Sequence, residues 1–334
     1  MKNVFLVLLS IVILHSISHA TIRRVGYFGP PVAGVDYATF QLAHDAASPN
    51  DTIMMHPGSS MGGNISKALI IIGPGYFLNP ADATFPGNAG LQANIKSTSD
   101  DGVISFQSGS SNTQIIGCSI RNLSFDDASL NNILVKRCFI TFGNFSVLFN
   151  ASANNVIFQQ CVFNSSIFGG TGSLTNLNFL NCLFNNAGIQ FSNPSSGFIN
   201  NCIFRTSSSN LGSGAWLVTN CISQSSITGT NTVYNNNVGT GTQFPSGNGN
   251  LQNQPWENIF TLTGSADAQY TLKAGSPAIG AGIGGTNCGI FGGASPYRLS
   301  GIPSVPTIYA LTSPQGTIPA GNTVQINLST RSNN

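Results

Sequence analysis

The chain is poor in charge, and the charge that it carries is unevenly placed. Of its 334 residues, only 12 are Lys or Arg and 10 are Asp or Glu. Between Cys138 and Trp256 the single charged residue is Arg205, and no acid occurs. Hydrolysis of a glycosidic bond needs two carboxylates at a fixed separation, so this stretch cannot supply such a site. The formal net charge of +2 is too small for the basic surface that nucleic-acid binding needs.

Residue patterns for metals and cofactors are missing too. No two cysteines are spaced as CxxC. His44 and His56, the only histidines after residue 20, have no Ser or Cys partner in a recognisable motif, which indicates structural or surface roles. No glycine-rich stretch follows a strand and opens a helix, as a phosphate-binding loop does. The sequence therefore predicts neither a metal nor a cofactor.

Six of the seven cysteines form a ladder with steps of 19 to 23 residues. Its members are Cys118, Cys138, Cys161, Cys182, Cys202 and Cys221. A period near 20 residues indicates stacked structural repeats. An apolar residue lies three positions before each cysteine, and another lies two positions after five of them. In a single strand, side chains an odd number of residues apart point to opposite faces. The three-residue offset before the cysteine therefore predicts two short strands with a bend between them, both facing one interior.

The residue just before the cysteine supports the bend. It is Gly or Asn in four of the six rungs, and these are the residues that tolerate a left-handed backbone. Coils stacked about 4.8 Å apart would give a three-sided parallel solenoid. We expect the ladder cysteines to be a reduced interior stack, because their total is odd and a free thiol behaves as a small buried hydrophobe. Bridges between adjacent coils are the alternative. Cys288 is expected in the core outside the ladder.

Four other stretches resemble known proteins. Residues 37–47 predict an amphipathic helix that leads into a strand near residue 53, and residues 65–75 look like the next coil. Residues 270–280 and 287–293 look like closing coils, although Asn287 stands where Asp is usual. Over residues 25–297 the chain resembles secreted bacterial proteins of the pectin-lyase-like superfamily, right-handed parallel β-helices. The resemblance implies an all-β right-handed parallel β-helix with an N-terminal capping helix. It implies no particular activity, since this scaffold carries many functions.

The chain divides into three parts. Residues 1–20 are predicted to be a secretory signal, which implies a secreted, extracellular or cell-surface protein. Residues 21–297 are predicted to form the β-helix, with about ten coils over residues 60–295 and an irregular loop at 228–254. Residues 298–334 are predicted to be a proline-containing linker and a strand pair, at 307–312 and 323–328. That pair would pack on the helix or cover its C-terminal end. No other segment is suited to span a membrane.

One charged cluster is a candidate site. It comprises Arg121, Asp126, Asp127, Lys136 and Arg137, and the pair Asp100 and Asp101 lies one coil earlier. Paired Asp with a nearby Arg or Lys is the set that a polysaccharide lyase would use. The favoured alternative is a solvated Asp-Asp turn with surface cations at an outward bend.

The leading functional hypothesis is a secreted, non-catalytic β-helix with a binding or structural role and polysaccharide as the expected ligand. The alternative is a polysaccharide lyase that uses the charged cluster. A third hypothesis is ice or mineral binding by ordered Thr and Asn rows. The sequence does not indicate an oligomeric state.

Overall fold

The computed structural model describes residues 20–26, 29–99, 102–141, 147–314, 319, 321 and 323–333. It shows a parallel β-solenoid of about nine turns, built from three sheets. The predicted all-β parallel β-helix, with a short helix near the N-terminus and a strand pair near the C-terminus, is confirmed. The predicted signal, except for Ala20, lies outside the described residues.

Strands of successive coils pair in parallel within each sheet. Sheet 1 has eleven strands, β1 (Ile22–Val25), β2 (Asp36–Tyr37), β3 (Thr52–Met55), β5 (Ile70–Ile72), β7 (Gln114–Ile116), β10 (Leu130–Lys136), β13 (Ala153–Gln159), β16 (Leu174–Leu180), β19 (Ser195–Asn200), β22 (Ala215–Thr219) and β25 (Asn231–Asn235). Sheet 2 has seven, β8 (Ser119–Ile120), β11 (Phe139–Ile140), β14 (Val162–Phe163), β17 (Leu183–Phe184), β20 (Ile203–Phe204), β23 (Ile222–Ser223) and β26 (Val238–Gly239). Sheet 3 has eight, β4 (Gly63–Ile65), β6 (Val103–Phe106), β9 (Asn122–Phe125), β12 (Val147–Phe149), β15 (Ile167–Gly169), β18 (Ile189–Phe191), β21 (Ser209–Asn210) and β24 (Ile227–Thr228).

Each ladder cysteine lies at the corner between sheet 1 and sheet 2, as the spacing predicts. The residue before it has a left-handed backbone, with φ of 70° at Gly117 and 52° at Asn201. Val135, from sheet 1, and Ile140, from sheet 2, flank one such corner and are fully buried. The interpretation of two short strands facing one interior is therefore confirmed.

All seven thiols are free and buried. The ladder thiols bond to backbone at the corner, where the chain changes sheet. Cys202 Sγ donates to Phe179 O and accepts from Cys182 N, both at 3.4 Å. A reduced stack thus satisfies backbone groups that the bend would otherwise leave unpaired.

Asn237 occupies the next rung after Cys221. Its Oδ1 accepts from Cys221 N and its Nδ2 donates to Val218 O, both at 2.9 Å. One more coil, with β25 and β26, therefore follows the last ladder cysteine. The prediction of an irregular loop over 228–254 is wrong as far as Gly239, because β25 and β26 lie there. The repeat is hard to recognise in this coil because an amide stands in place of the thiol.

We expect denatured, unreduced protein to titrate close to seven thiols and native protein to titrate few. Burial raises the pKa of Cys288 to about 12, and burial also raises the pKa of Cys161 and Cys202 well above the ordinary value. A thiol that stays protonated is a poor nucleophile. Burial raises the pKa of Cys138 and Cys182 as well, but hydrogen bonds from neighbouring thiols lower it below the ordinary value, so for these two it is lack of access that limits the reaction. A chromogenic thiol reagent at pH 8, with and without denaturant, measures both numbers. A single reactive thiol in the denatured, unreduced protein would mean three disulfides and would contradict the reduced stack.

Aromatic rings stack inside the solenoid along its axis. Phe163, Phe184 and Phe204 lie on successive strands of sheet 2 and are fully buried. Their ring centroids are 5.0 Å and 4.3 Å apart, and the planes are nearly parallel. Like residues stack on like because each coil repeats the register of the coil before it.

A second hydrophobic layer covers the outside of sheet 2. The residue directly after each ladder position is apolar and buried there in six coils, namely Phe139, Val162, Leu183, Ile203, Ile222 and Val238. They contact two segments outside the coils, the excursion of residues 76–98 and the return segment of residues 256–304. Sheet 2 is therefore buried on both faces, as its paired apolar residues require.

The return segment contains helix α2 (Trp256–Ile259) and three short 3-10 helices, Ala268–Tyr270, Ile283–Gly285 and Leu299–Gly301. It runs back along the solenoid from the last coil towards the first ones. Side chains of the left-handed corner row hold it, with bonds between Asn236 Nδ2 and Ala281 O, Asn220 Oδ1 and Ile283 N, Asn201 Nδ2 and Asn287 O, Asn181 Nδ2 and Ile290 O, Gln160 Nε2 and Pro296 O, and Arg137 Nη1 and Ile302 O.

The expected closing coils at 270–280 and 287–293 belong to this return segment instead. They add no strand to the three sheets, and the last solenoid strand ends at Gly239. The solenoid also begins earlier than residue 60, because β1 to β3 already pair in sheet 1. The expected extent of ten coils over 60–295 is therefore wrong. These stretches are apolar and rich in glycine because they pack on a sheet, and in sequence they therefore resemble strands of that sheet.

Helix α1 (Phe40–Ala46) confirms the predicted amphipathic helix. Thr39 caps its start, with Oγ1 accepting from Leu42 N at 3.3 Å. Phe40 and Ala43 join the interior core of the first coils. The helix thus covers the end of the interior. It is the longest helix in the described part of the chain, where no helix is long and apolar enough to cross a membrane.

The strand pair, β27 (Thr307–Thr312) and β28 (Asn327–Arg331), is antiparallel. Its second strand starts four residues later than predicted. The pair lies beside the excursion, where Ala93 N donates to Ile308 O at 2.7 Å. It therefore contacts a segment near the N-terminal coils, and of the two predicted positions, packing on the helix or covering its C-terminal end, the second is wrong. Residues 244–251 border that end, with Phe244 fully buried.

Candidate functional site

The residues of the charged cluster predicted from the sequence lie at different corners of the coil. Arg121 lies between sheet 2 and sheet 3, whereas Asp126 and Asp127 follow β9, between sheet 3 and sheet 1. Lys136 ends β10 and Arg137 follows it, at the corner between sheet 1 and sheet 2. The five residues thus divide among three corners of the triangular coil. The other candidates, Asp100 and Asp101, lie outside the described residues.

Asp126 is held by side chains of its own coil and of neighbouring coils. Its carboxylate accepts hydrogen bonds from Ser105, Gln107, Ser124 and Asn150. Burial raises its pKa, but these bonds outweigh burial, and the pKa is lowered from 3.8. A carboxylate of this kind is a weak base, whereas a catalytic base works best with a pKa near the working pH. Asp127 is half-buried and accepts from Ser129 N at 2.8 Å within its own turn.

Arg137 is buried, so the expectation of a surface cation is wrong for it. Its Nε donates to Gln160 Oε1 at 2.7 Å, and its Nη1 donates to Ile302 O at 2.7 Å. Its φ of 51° is left-handed, which is unfavourable for a long side chain. These bonds hold both the corner and the return segment, which makes Arg137 a structural residue. Lys136 instead faces outward on sheet 1, where burial, followed by the charge of Arg137, lowers its pKa.

The two histidines differ in exposure. His44 is buried, its Nε2 accepts from Ser66 N at 3.0 Å, and its Nδ1 lies 2.9 Å from Asp45 Oδ1. These bonds hold the imidazole ring between helix α1 and the coil below it, so His44 has one of the structural roles that the sequence predicts. His56 is partly buried, and burial, followed by the charge of Arg24, lowers its pKa. No group of three metal-ligating residues forms within the described ranges.

A cleft lies between the excursion and sheet 2, with a volume of about 480 Å³. Phe77, Phe85 and Phe139 form an aromatic wall, with ring centroids 4.7 to 5.6 Å apart. Asp82 is the one acid among the described lining residues, which include no base. Its Oδ1 accepts from Thr84 N at 2.8 Å in a local turn. A single carboxylate does not supply the two carboxylates that glycoside hydrolysis needs. Without a cation beside it, it does not supply the residues of a lyase either.

The outer face of sheet 1 is the most extended candidate surface. An apolar row runs along it over β10 to β25, broken by one amide, and consists of Leu134, Ile157, Asn178, Phe198, Leu217 and Val233 in direct register. Phe198 is 48% exposed and Val233 is 50% exposed. Large apolar side chains on an outer sheet surface are typical of a binding surface when they are contiguous.

A row of asparagines borders the apolar row. Its members are Asn112, Asn132, Asn155 and Asn176, all with left-handed φ between 53° and 66°. Each amide after the first donates to the one before it, at 3.1, 2.5 and 2.8 Å. Such amide ladders fix the side chains along the stack, so the row offers ordered carbonyl and amide groups beside apolar ones.

Two shallow grooves mark this face. One, of about 260 Å³, is lined by residues that include Asn132, Leu134 and Ile157. The other, of about 410 Å³, is lined by residues that include Phe198 and Val233. From β7 to β25 the face spans roughly 29 Å at the usual strand spacing. Lys136 is its one charge over that length.

Ordered Asn rows on the outer face are predicted from the sequence, but the apolar row beside them is not, although a signal for it exists. The apolar row stands four residues before each ladder position, and the asparagines stand six before it. Apolar residues at both three and four positions before the cysteine indicate a strand with an apolar outer face. The pattern of interior positions alone does not reveal this row.

Comparison of the chain with protein-family models, with curated proteins and with solved structures gave no significant match.

Proposed function

We propose that this chain is a secreted right-handed β-helix of the pectin-lyase-like superfamily that binds a neutral polysaccharide along the outer face of sheet 1 without transforming it. The observation that carries the proposal is the apolar row with its bordering amide ladder. A pyranose ring offers apolar C–H faces and hydroxyl edges, which suit apolar side chains beside fixed amides. Sites of this composition, mostly apolar with a few placed polar groups, are typical of ligand binding.

The shape and charge of the face indicate the kind of polymer. A strip of roughly 29 Å along the stacking axis matches an extended chain of several sugars better than a single sugar. Only Lys136 is charged there, so the face has no set of cations for the carboxylates of an acidic polymer. The repeat along the axis suits a ligand that itself repeats.

Phe198 is the residue that tests the proposal. Half of its ring is exposed, and it lines the larger groove. We expect Phe198→Ala to weaken binding of a neutral polysaccharide about tenfold or more, because aromatic side chains dominate contact energy at binding surfaces. Val103 is the matched control, since it is equally exposed at 48% but lies on sheet 3.

The measurement is depletion from solution by a panel of neutral and acidic polysaccharides, with unsaturated product recorded in the same tubes. Binding of a neutral polymer that Phe198→Ala reduces and Val103→Ala leaves unchanged would support the proposal. Equal binding by both variants, or no binding at all, would contradict it. Unsaturated product that disappears when Asp126 and Asp127 are both replaced by Asn would support the lyase alternative instead.

A further inference from the structure

Another concave surface lies where the return segment meets the strand pair. We call it the arginine groove, and its volume is about 360 Å³. Arg298 and Arg331 line it, together with Leu91, Leu299, Ile302 and Asn333. No described lining residue is acidic. Two guanidinium groups on one small surface are notable in a chain with only 12 Lys and Arg residues.

Arg331 is only partly satisfied by the protein. One terminal nitrogen, Nη2, donates to Leu91 O, and the guanidinium lies 5.5 Å from the ring centroid of Tyr309. Its Nε is buried and has no hydrogen-bond partner among the described residues. Buried polar groups normally have a partner, so this donor indicates a missing acceptor.

A third guanidinium adds positive charge beside the groove. Arg137 donates to Ile302 O, and Ile302 lines the groove. Burial, followed by the charge of Arg298, lowers the pKa of Arg137, so these two cations lie close enough to repel each other. An anion in the groove would relieve that repulsion.

The buried carboxylate on the same segment is committed elsewhere. Asp267 accepts from Asn88 and Ser265 through Oδ1, and from Tyr297 and Ser300 through Oδ2. All four donors are neutral. Both of its oxygens therefore already serve other groups.

We propose that the arginine groove binds an oxyanion, either the carboxylate of an acidic sugar or a free phosphate or sulfate. A guanidinium presents paired N–H donors whose geometry matches two oxygens of one oxyanion. The apolar side chains of Leu91, Leu299 and Ile302 would lie against the body that carries the anion. This site is independent of the sheet 1 face and does not rest on the proposed function.

The test is isothermal titration of the full chain at low ionic strength with sodium glucuronate, sodium phosphate and sodium sulfate, with glucose as the neutral probe. We expect at least one oxyanion to bind and glucose not to bind here. Arg298→Gln and Arg331→Gln should each weaken that binding about tenfold or more, since each removes a charged fork. Added sodium chloride should weaken it further.

Lys273→Gln is the control, because Lys273 is a cation whose Nζ donates to Glu257 O, away from the groove. It should leave oxyanion affinity unchanged. Arg331→Gln also removes the bond to Leu91, so Arg298→Gln decides the result if Arg331→Gln lowers the melting temperature. Glucuronate binding alone indicates an acidic sugar, whereas equal binding of phosphate or sulfate indicates a free oxyanion. The proposal is overturned if no oxyanion binds, or if the arginine variants bind as well as the unchanged chain.

Discussion

Replacing Phe184 with Ala is expected to lower the free energy of unfolding by about 3–5 kcal/mol. The ring is fully buried and stacks on Phe163 and Phe204 in the coils on either side. Its removal leaves a cavity between two coils. Those coils cannot close the gap without breaking the parallel register that sets their spacing. Urea unfolding followed by circular dichroism measures the loss.

Phe198→Ala is the matched control for that experiment. Both residues are phenylalanines on adjacent coils, but Phe184 faces the interior and Phe198 lies half exposed on the outer face. We expect Phe198→Ala to cost less than about 1 kcal/mol, as exposed substitutions usually do. If the two variants lost the same stability, the assignment of inner and outer positions would be wrong.

Asp267→Ala is expected to lower the free energy of unfolding by a similar amount, about 3–5 kcal/mol. The carboxylate is fully buried and accepts from Asn88 Nδ2 at 2.9 Å, from Tyr297 Oη at 3.0 Å and from Ser300 N at 2.6 Å. Burial, followed by the charge of Asp267, raises the pKa of Tyr297 well above its usual range, so the phenol remains a donor. Truncation leaves Ser300 N buried without its acceptor. It also removes one partner from Tyr297 Oη and from Asn88 Nδ2, which keep only Tyr76 Oη and Ser300 Oγ.

Asp82→Ala controls for the loss of an acid as such, because Asp82 is exposed and bonds only within its local turn. Urea midpoints of the two variants can be compared directly. Asp267→Ala should release the return segment from the excursion, which limited proteolysis would detect as new cleavage in residues 256–304. Equal midpoints for the two variants would show that the buried network contributes little.

The solenoid could be predicted because its signals are local and repeated. The cysteine period, the apolar residues at fixed offsets and the Gly or Asn at the bend all lie within about ten residues of each rung. Parallel stacking then follows from one coil to the next. The cysteine ladder itself ends one coil before the solenoid does, at Cys221, because Asn237 performs the thiol's hydrogen bonding with a different side chain.

The return segment could not be predicted in the same way. Its contacts join residues far apart in sequence, such as Arg137 and Ile302, and no period marks them. The corner residues were correctly predicted to favour a left-handed bend, but their outward side chains have a second role as partners of the return segment. The residues of the charged cluster are close in sequence but not in space, because a coil of about 20 residues turns through three corners.

The antiparallel course of the return segment gives this solenoid a fixed length. In an open repeat protein each coil contacts only its neighbours, so a coil can be duplicated or lost without harm to distant parts. Here a coil inserted between Arg137 and Asn236 would displace every later corner side chain by about 4.8 Å from its backbone partner. That shift exceeds hydrogen-bonding distance. The number of coils is thus fixed by two features, the repeats themselves and the return segment that runs along them.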